Sequence, residues 1–312
     1  MILVTGGAGY IGSHLVRRLV AAGERVRTLI RNRERVEREG RLRDLELETV
    51  VGDVTDPASL PKALQDVRAV FHTVAIAIEK GGQRYEETNF HGTVNLVDAA
   101  KAAGVPRFIH LSQLGADPEL PYRFLASKGR AQAYVAKSGL EWTSFRPSVV
   151  WGPEDEFANT FARLVPISPF IYPIVGDEDS KFEPIWIEDL VTSLLKALTD
   201  PSTVGKEYDL GGPEVLTLEE IERRTLQAIG AHRKFIPFPT PLLRLIVRAM
   251  ELLLPAPPVT RSLLELLAVP NVTRVNSLNR FVPEPRAFTP EHTAGYMRRF
   301  RPRDTLDQFL GR

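Results

Sequence analysis

The chain of 312 residues has no cysteine. That excludes disulfides, thiolate metal sites and cysteine nucleophiles, and it suits a reducing cytoplasm. A clear charge excess is missing too. Forty Lys and Arg stand against 39 Asp and Glu, a formal net charge of +1, so bulk electrostatics offer no case for a nucleic-acid partner. No run of about 18 uncharged apolar residues occurs, which predicts no membrane-spanning helix. The opening residues already read as a strand, and a secretory leader is not expected. No spaced set of His and carboxylates suggests a metal site. Asp177, Glu178 and Asp179 form an acidic cluster that reads as a solvated loop. What remains, 43% hydrophobic and 25% charged, is ordinary globular composition.

The information is concentrated at the start. Ile2, Leu3 and Val4 run into Gly6, Gly7 and Gly9, and an apolar helical pattern follows at Ile11, Leu15, Val16 and Leu19. This is strand, tight turn, helix. Both Gly-x-x-Gly-x-x-Gly and Gly-x-Gly-x-x-Gly can be read across Gly6, Gly9 and Gly12. Residues without a Cβ permit the sharp turn, close approach of a pyrophosphate and tight packing of helix on strand. The helix start, with Tyr10 and Ile11 in its first turn, then offers free N–H groups and a favourable dipole.

Further strands are predicted at 25–30, 47–51, 69–74, 107–111 and 142–145, with helices over 57–64, 85–103 and 123–137. Alternation of strands and helices implies an α/β fold, a doubly wound parallel Rossmann sheet. It occupies 1–150, with 177–215 joining it. Beyond Pro147 prolines cluster, and 151–176 with 216–312 read as a smaller, interleaved region. Helices are expected there at 187–198 and 218–229, and a strand at 207–210. Trp151, Phe157, Phe161, Phe170 and Tyr172 give that region an apolar character suited to an apolar small-molecule substrate. Residues 241–254 form a strongly apolar stretch, read first as a lid helix and second as a face for a protein or membrane surface.

The cofactor is read from the end of the second strand. An acidic residue about 20 positions past the glycines holds the ribose diol of NAD, but that place falls at Arg31. A guanidinium suits the 2′-phosphate of NADP, so NADPH is expected over NADH. Arg35, Arg38, Arg41 and Arg43, interleaved with Glu34, Glu37 and Glu39, read as a solvated surface. Asp53 and Val54 close the third strand at a position for adenine. Thr73 and Ala75, at the end of the fourth strand, are assigned to the same site. His72, His91 and His110 read as structural.

With these pieces placed, the chain resembles the extended short-chain dehydrogenase/reductase superfamily over most of its length. Thr5–Gly12 and Gly52-Asp53 fit its cofactor motifs. Tyr85-Glu-Glu-Thr-Asn89 with Gly92-Thr93 fits its central helix, and Arg146-Pro147 through Gly152-Pro153 the segment passing the nicotinamide. Phe145–Asn159, Phe182–Asp189 and Tyr208–Glu214 with Thr217-Leu218 resemble an atypical branch. That branch holds the dehydrogenase-like accessory subunit of respiratory complex I and its bacterial relatives, which implies a cytoplasmic protein at or near a membrane assembly. The resemblance implies a Tyr-x-x-x-Lys pair and a preceding Ser, in which Lys holds ribose and lowers the phenol's pKa. Lys128 fits, but four residues earlier stands Phe124. Ser112 and Gln113 fall on the serine positions, the second being the one normally active, and Tyr122 is the nearest phenol. The resemblance therefore implies a nucleotide-binding protein whose proton relay is lost, with the bound nucleotide structural or redox-sensing. The alternative is an active NADP-dependent reductase, epimerase or dehydratase on a small carbonyl, nucleotide-sugar or isoprenoid-like substrate, with Tyr122, Ser112 or Gln113 taking over.

Overall fold

A computed structural model describes residues 1–165, 171–174, 180–237, 247–248 and 271–298. The acidic cluster at 177–179, Phe170 and all of the 241–254 stretch except Val247 and Arg248 lie outside the described residues. The chain divides into two compact units. The first comprises Met1–Pro147, Ile187–Leu210 and Val275–Pro283, and the second Ser148–Trp186, Gly211–Arg274 and Glu284–Arg312.

The first unit is built on seven parallel strands. These are β1 (Ile2–Thr5), β2 (Val26–Ile30), β3 (Glu48–Val51), β4 (Ala69–His72), β5 (Arg107–Leu111), β6 (Glu141–Pro147) and the Lys206–Leu210 strand. From one edge the order is Lys206–Leu210, β6, β5, β4, β1, β2, β3. The chain therefore leaves β1 in one direction through β3 and returns past it at β4. That reversal is the topological switch point at which doubly wound sheets open a crevice. Every residue of β1, β2, β4 and β5 is buried, as expected for strands covered on both faces.

Helices cross over between the strands: α1 (Tyr10–Ala21), α2 (Arg33–Glu39), α3 (Leu60–Leu64), α4 (Gly92–Ala102) and α5 (Arg123–Ala136). Two stretches expected as single helices are interrupted. Residues 57–64 open as a 3-10 turn, Pro57–Ser59, capped by the Asp56 carboxylate accepting from the Ala58 N–H. Residues 85–103 open as a π-helical turn, Glu86–His91, before α4. Within that turn Asn89 is buried and bonds outward: its Oδ1 accepts from the Ile76 N–H at 2.9 Å, and its Nδ2 donates to the Ile76 carbonyl at 3.2 Å. A widened turn that aims a side chain at a neighbouring loop is what π-bulges supply.

The second unit packs around an aromatic core that includes Trp151, Phe157, Phe161, Tyr172, Phe182 and Phe288. It contains the helices Ala158–Leu164, Leu218–Ile229 and Pro290–Met297. Leu218–Ile229 begins with a capping box between Thr217 and Glu220 and ends at Gly230 in the left-handed conformation, the start and stop its sequence carries. Among the described residues no helix is long and apolar enough to cross a membrane.

One buried cation ties together the edge of the first unit. Arg107, 6% exposed, donates to the carbonyls of Glu141 and Ala197 and to the hydroxyls of Thr143 and Thr203, at 2.6–3.0 Å. It thereby links β5 and β6 to the C-terminal end of the Ile187–Thr199 helix. Arg107→Met should leave those carbonyls unpaired and cost about 3 kcal/mol, read as a lower urea midpoint.

Candidate functional site

Gly6 takes φ +79°, and a Cβ there would lie 2.7 Å from Thr73 Oγ1. A Cβ on Gly12 would lie 2.1 Å from the Gly6 carbonyl oxygen. Helix α1 can therefore sit against the turn only because residue 12 has no side chain. Gly9 is the residue preceding α1, and no side chain caps the helix start. This cradle fits an anionic diphosphate.

Beside the turn lies a groove of about 840 Å3. Its lining includes Gly6, Gly9, Arg31, Asp53, Val54, Thr73 and Ala75 from the sequence-derived set. Tyr10, Ile11, Gly12, Pro147 and Lys128 are not among the lining residues. Gly12 packs the helix against the turn, Tyr10 stacks edge-on against His14 at 5.6 Å, and the Pro147 carbonyl accepts from the Leu114 N–H. Asp53 Oδ1 accepts from the Thr55 N–H at 2.9 Å, an Asx turn that fixes its carboxylate at the groove. Buried Val54 packs under Gly92, where a Cβ would come within 2.7 Å of it. The loop after β4 is held in place by the Asn89–Ile76 pair, since Ile76 also lines the groove.

The wall of the groove extends beyond the sequence-derived set. Arg35 and Arg41, read as solvated, line the groove with Asn32 and Glu39. Short helix α2 brings them there. Asn32 caps its start, accepting from the Arg35 N–H at 2.8 Å, and Gly40 at φ +67° ends it. Arg41 then reaches back to the Ala8 carbonyl at 3.4 Å. Asn32 before the helix and Gly40 after it were the available signals.

Of the residues expected to form a proton relay, Lys128 reaches the end of β5, which Ser112 and Gln113 follow, and Tyr122 stands before α5. Lys128 on α5 is 3% exposed and donates to the Leu111 carbonyl at 2.6 Å. Burial pulls its pKa down to about 7. Phe124, one turn before it on the same helix, packs edge-on against Tyr85 at 5.7 Å. Tyr122 is the residue before α5, in extended conformation and 38% exposed. Ser112 is buried, with its hydroxyl unpartnered among the described residues. Gln113 is half-buried, its carbonyl accepting from the Ala116 N–H.

Next to Lys128 the sheet carries two fully buried imidazoles. His72 bridges the hydroxyls of Thr5 at 2.7 Å and Thr93 at 2.9 Å, and stacks on His110 at 5.7 Å. Burial, and then the Lys128 charge, push the His72 pKa down to about 3 and hold His110 well below its usual range. Burial thus disfavours the charged form of both imidazoles. Among the described residues no group of three or more His, Asp or Glu could hold a metal.

A reversing parallel sheet, a glycine turn against a helix start and a groove at the switch point define a dinucleotide-binding protein of the Rossmann class. The chain belongs to the extended short-chain dehydrogenase/reductase family, and the NAD(P)H-binding family pattern matches residues 6–160. It is 30% identical over 316 residues to a 2-alkyl-3-oxoalkanoate reductase of Stenotrophomonas maltophilia, covering 86% of this chain and 90% of that one. It is also 30% identical over 248 residues to the mitochondrial NADH dehydrogenase [ubiquinone] 1 alpha subcomplex subunit 9 of Arabidopsis thaliana, covering 77% of this chain. The chain spans 60% of the length of that plant protein. In fold it is similar to the UDP-glucuronic acid 4-epimerase of Bacillus cereus, solved with UDP-glucuronic acid and NAD: TM-score 0.71 at 19% identity, covering 96% and 99% of the two chains.

Titration of the buried seam should set the pH dependence of stability. Between about pH 7 and 10.5 the unfolded chain binds the Lys128 proton and the folded protein does not, so stability should rise with pH across that window. Between about pH 3 and 6.5 the same holds for His72, so stability should fall as the solution is acidified. Urea unfolding at stepped pH checks both. Lys128→Met should flatten the alkaline slope and leave most of the acid one.

Proposed function

We propose that this protein holds NADPH, in preference to NADH, as a structural or redox-sensing ligand and does not run the family's phenol-based proton transfer. The observation that carries this reading is Phe124. It stands one helical turn from Lys128, where the family places its phenol, and a phenyl ring neither donates nor accepts a proton. Tyr122, the nearest phenol in sequence, is exposed at the residue preceding α5.

The nucleotide supplies hydride-transfer capacity when bound; the chain's part is to bind and position. Gly6, Gly9 and the α1 N–H groups would take the diphosphate, Asp53 and Val54 the adenine, and Arg31 the 2′-phosphate. No carboxylate stands at position 31 to favour the diol of NAD. By analogy with its complex I subunit relatives, the protein would act in the cytoplasm, at the periphery of a respiratory or quinone-linked membrane assembly. The 241–254 stretch is the proposed contact with a protein or membrane partner.

A second reading, an active NADP-dependent reductase, epimerase or dehydratase on an apolar carbonyl substrate, draws support from two observations. One is the likeness to the Stenotrophomonas reductase over nearly its whole length. The other is the unpartnered Ser112 hydroxyl, which with Gln113 or Tyr122 would polarise a carbonyl.

Calorimetric titration of the purified protein with NADPH and NADH separates these questions. Tighter NADPH binding is expected, and Arg31→Asp should move the preference towards NADH; unchanged relative affinities would remove Arg31 from the reading. Turnover of a 3-oxoacyl or steroid-like ketone that is lost in Tyr122→Phe and Lys128→Ala would favour the enzyme instead. A binding-only protein should show weaker NADPH binding and a lower Tm in Lys128→Ala, with no activity gained in Phe124→Tyr.

A further inference from the structure

The spacing rule points to one cation, Arg31, but the groove wall also holds a carboxylate. Among the lining residues between 31 and 41 are three guanidinium groups, Arg31, Arg35 and Arg41, and one acid, Glu39. The net charge of this wall is +2, three cations less one anion. Glu39 is the last residue of α2, and Gly40 turns the chain immediately after it. One helical turn earlier on the same face stands Arg35, whose Nε donates to Glu39 Oε1 at 2.7 Å.

We infer that Glu39 is a specificity-determining residue: it holds Arg35 in an internal ion pair that a 2′-phosphate must take over, and so it sets how strongly the groove discriminates NADPH from NADH. The inference rests on the NADPH reading above and adds a second device to it. A phosphomonoester carries −1.5 to −2 charges near pH 7 and three acceptor oxygens, and it can meet a guanidinium with two parallel hydrogen bonds. It therefore competes for Arg35 with a single carboxylate. A ribose 2′-hydroxyl cannot displace a carboxylate from Arg35, but it can donate to Glu39 as it would to the acidic residue of an NAD site. Glu39 thus opposes NADPH by keeping Arg35 and accommodates NADH by accepting from the diol. The pair is solvent-facing, with side chains 61% and 33% exposed, so exchange needs no core rearrangement. Arg41, anchored on the Ala8 carbonyl, closes the same wall against the glycine turn.

The test is calorimetric titration of wild type, Glu39→Gln, Arg35→Gln and the double variant with NADPH, NADH and 2′-AMP. Glu39→Gln should raise affinity for NADPH and 2′-AMP about two- to fivefold relative to NADH, the scale of an exposed ion pair. Arg35→Gln should weaken both phosphate-bearing ligands about fivefold or more, and in its background Glu39→Gln should no longer help them. A gain equal for NADPH and NADH would overturn the inference, and so would a gain that persists undiminished without Arg35. The wild-type NADPH/NADH ratio by itself reports on Arg31 and the preceding reading. The Glu39–Arg35 coupling is a change in that ratio, and 2′-AMP reads it even if the dinucleotides bind poorly.

Discussion

The distance between the Gly6 carbonyl and residue 12 governs the nucleotide end of this molecule. With hydrogen at that position, α1 starts directly against the turn; any Cβ would sit 2.1 Å from the oxygen and force the helix away. The consequences run outward from that contact. No side chain caps the helix start. The Thr73 side chain can close under Gly6, its hydroxyl donating to the Thr5 carbonyl at 2.9 Å. The loop after β4, fixed by Asn89, then forms the facing wall. A groove at the switch point of a parallel sheet is generic, and what makes this one a nucleotide site is that its floor is backbone.

The same carboxyl edge carries an unusual load of buried polarity. Thr5, His72, Thr93, His110, Ser112, Ser144 and Lys128 are all nearly or fully inaccessible. Two imidazoles and an ammonium so close together can share a core only if most of them are neutral, since burial and mutual repulsion both disfavour charge. Hydroxyls of Thr5 and Thr93 satisfy both nitrogens of His72, and the Leu111 carbonyl satisfies Lys128.

Legibility in the sequence followed the range of the physics involved. Strands β1 and β4 were readable from their short apolar runs, and β2 and β5 from apolar residues flanking Arg27 and His110 in a chain that alternates strands with helices. The Ile187–Thr199 helix was readable from its apolar period. The π-helical turn was not, because Asn89 defines it through a bond to Ile76, a partner that no local pattern names. Arg35 and Arg41 are a related case. Their alternation with glutamates is what a solvated helix shows, and only the cap at Asn32 and the turn at Gly40 bring that helix over the groove. Asp53 and Arg31, by contrast, sit at strand ends, where topology alone determines position.

Lys128 beside Phe124 is the pair on which the proposed separation of binding from catalysis rests. In the family's chemistry the lysine's charge matters because it makes a neighbouring phenol more acidic. Here no phenol stands on its helical face, and its ammonium is committed to the carbonyl at the end of β5. Burial, moreover, leaves the lysine only partly charged near neutrality. The buried lysine joins α5 to β5, which Ser112 and Gln113 follow. Phe124 in turn packs on Tyr85, and Tyr85 immediately precedes the π-helical turn that holds Asn89. Lys128 and Phe124 thus both serve packing, against β5 and Tyr85, which accords with the proposal of a nucleotide that is held rather than consumed.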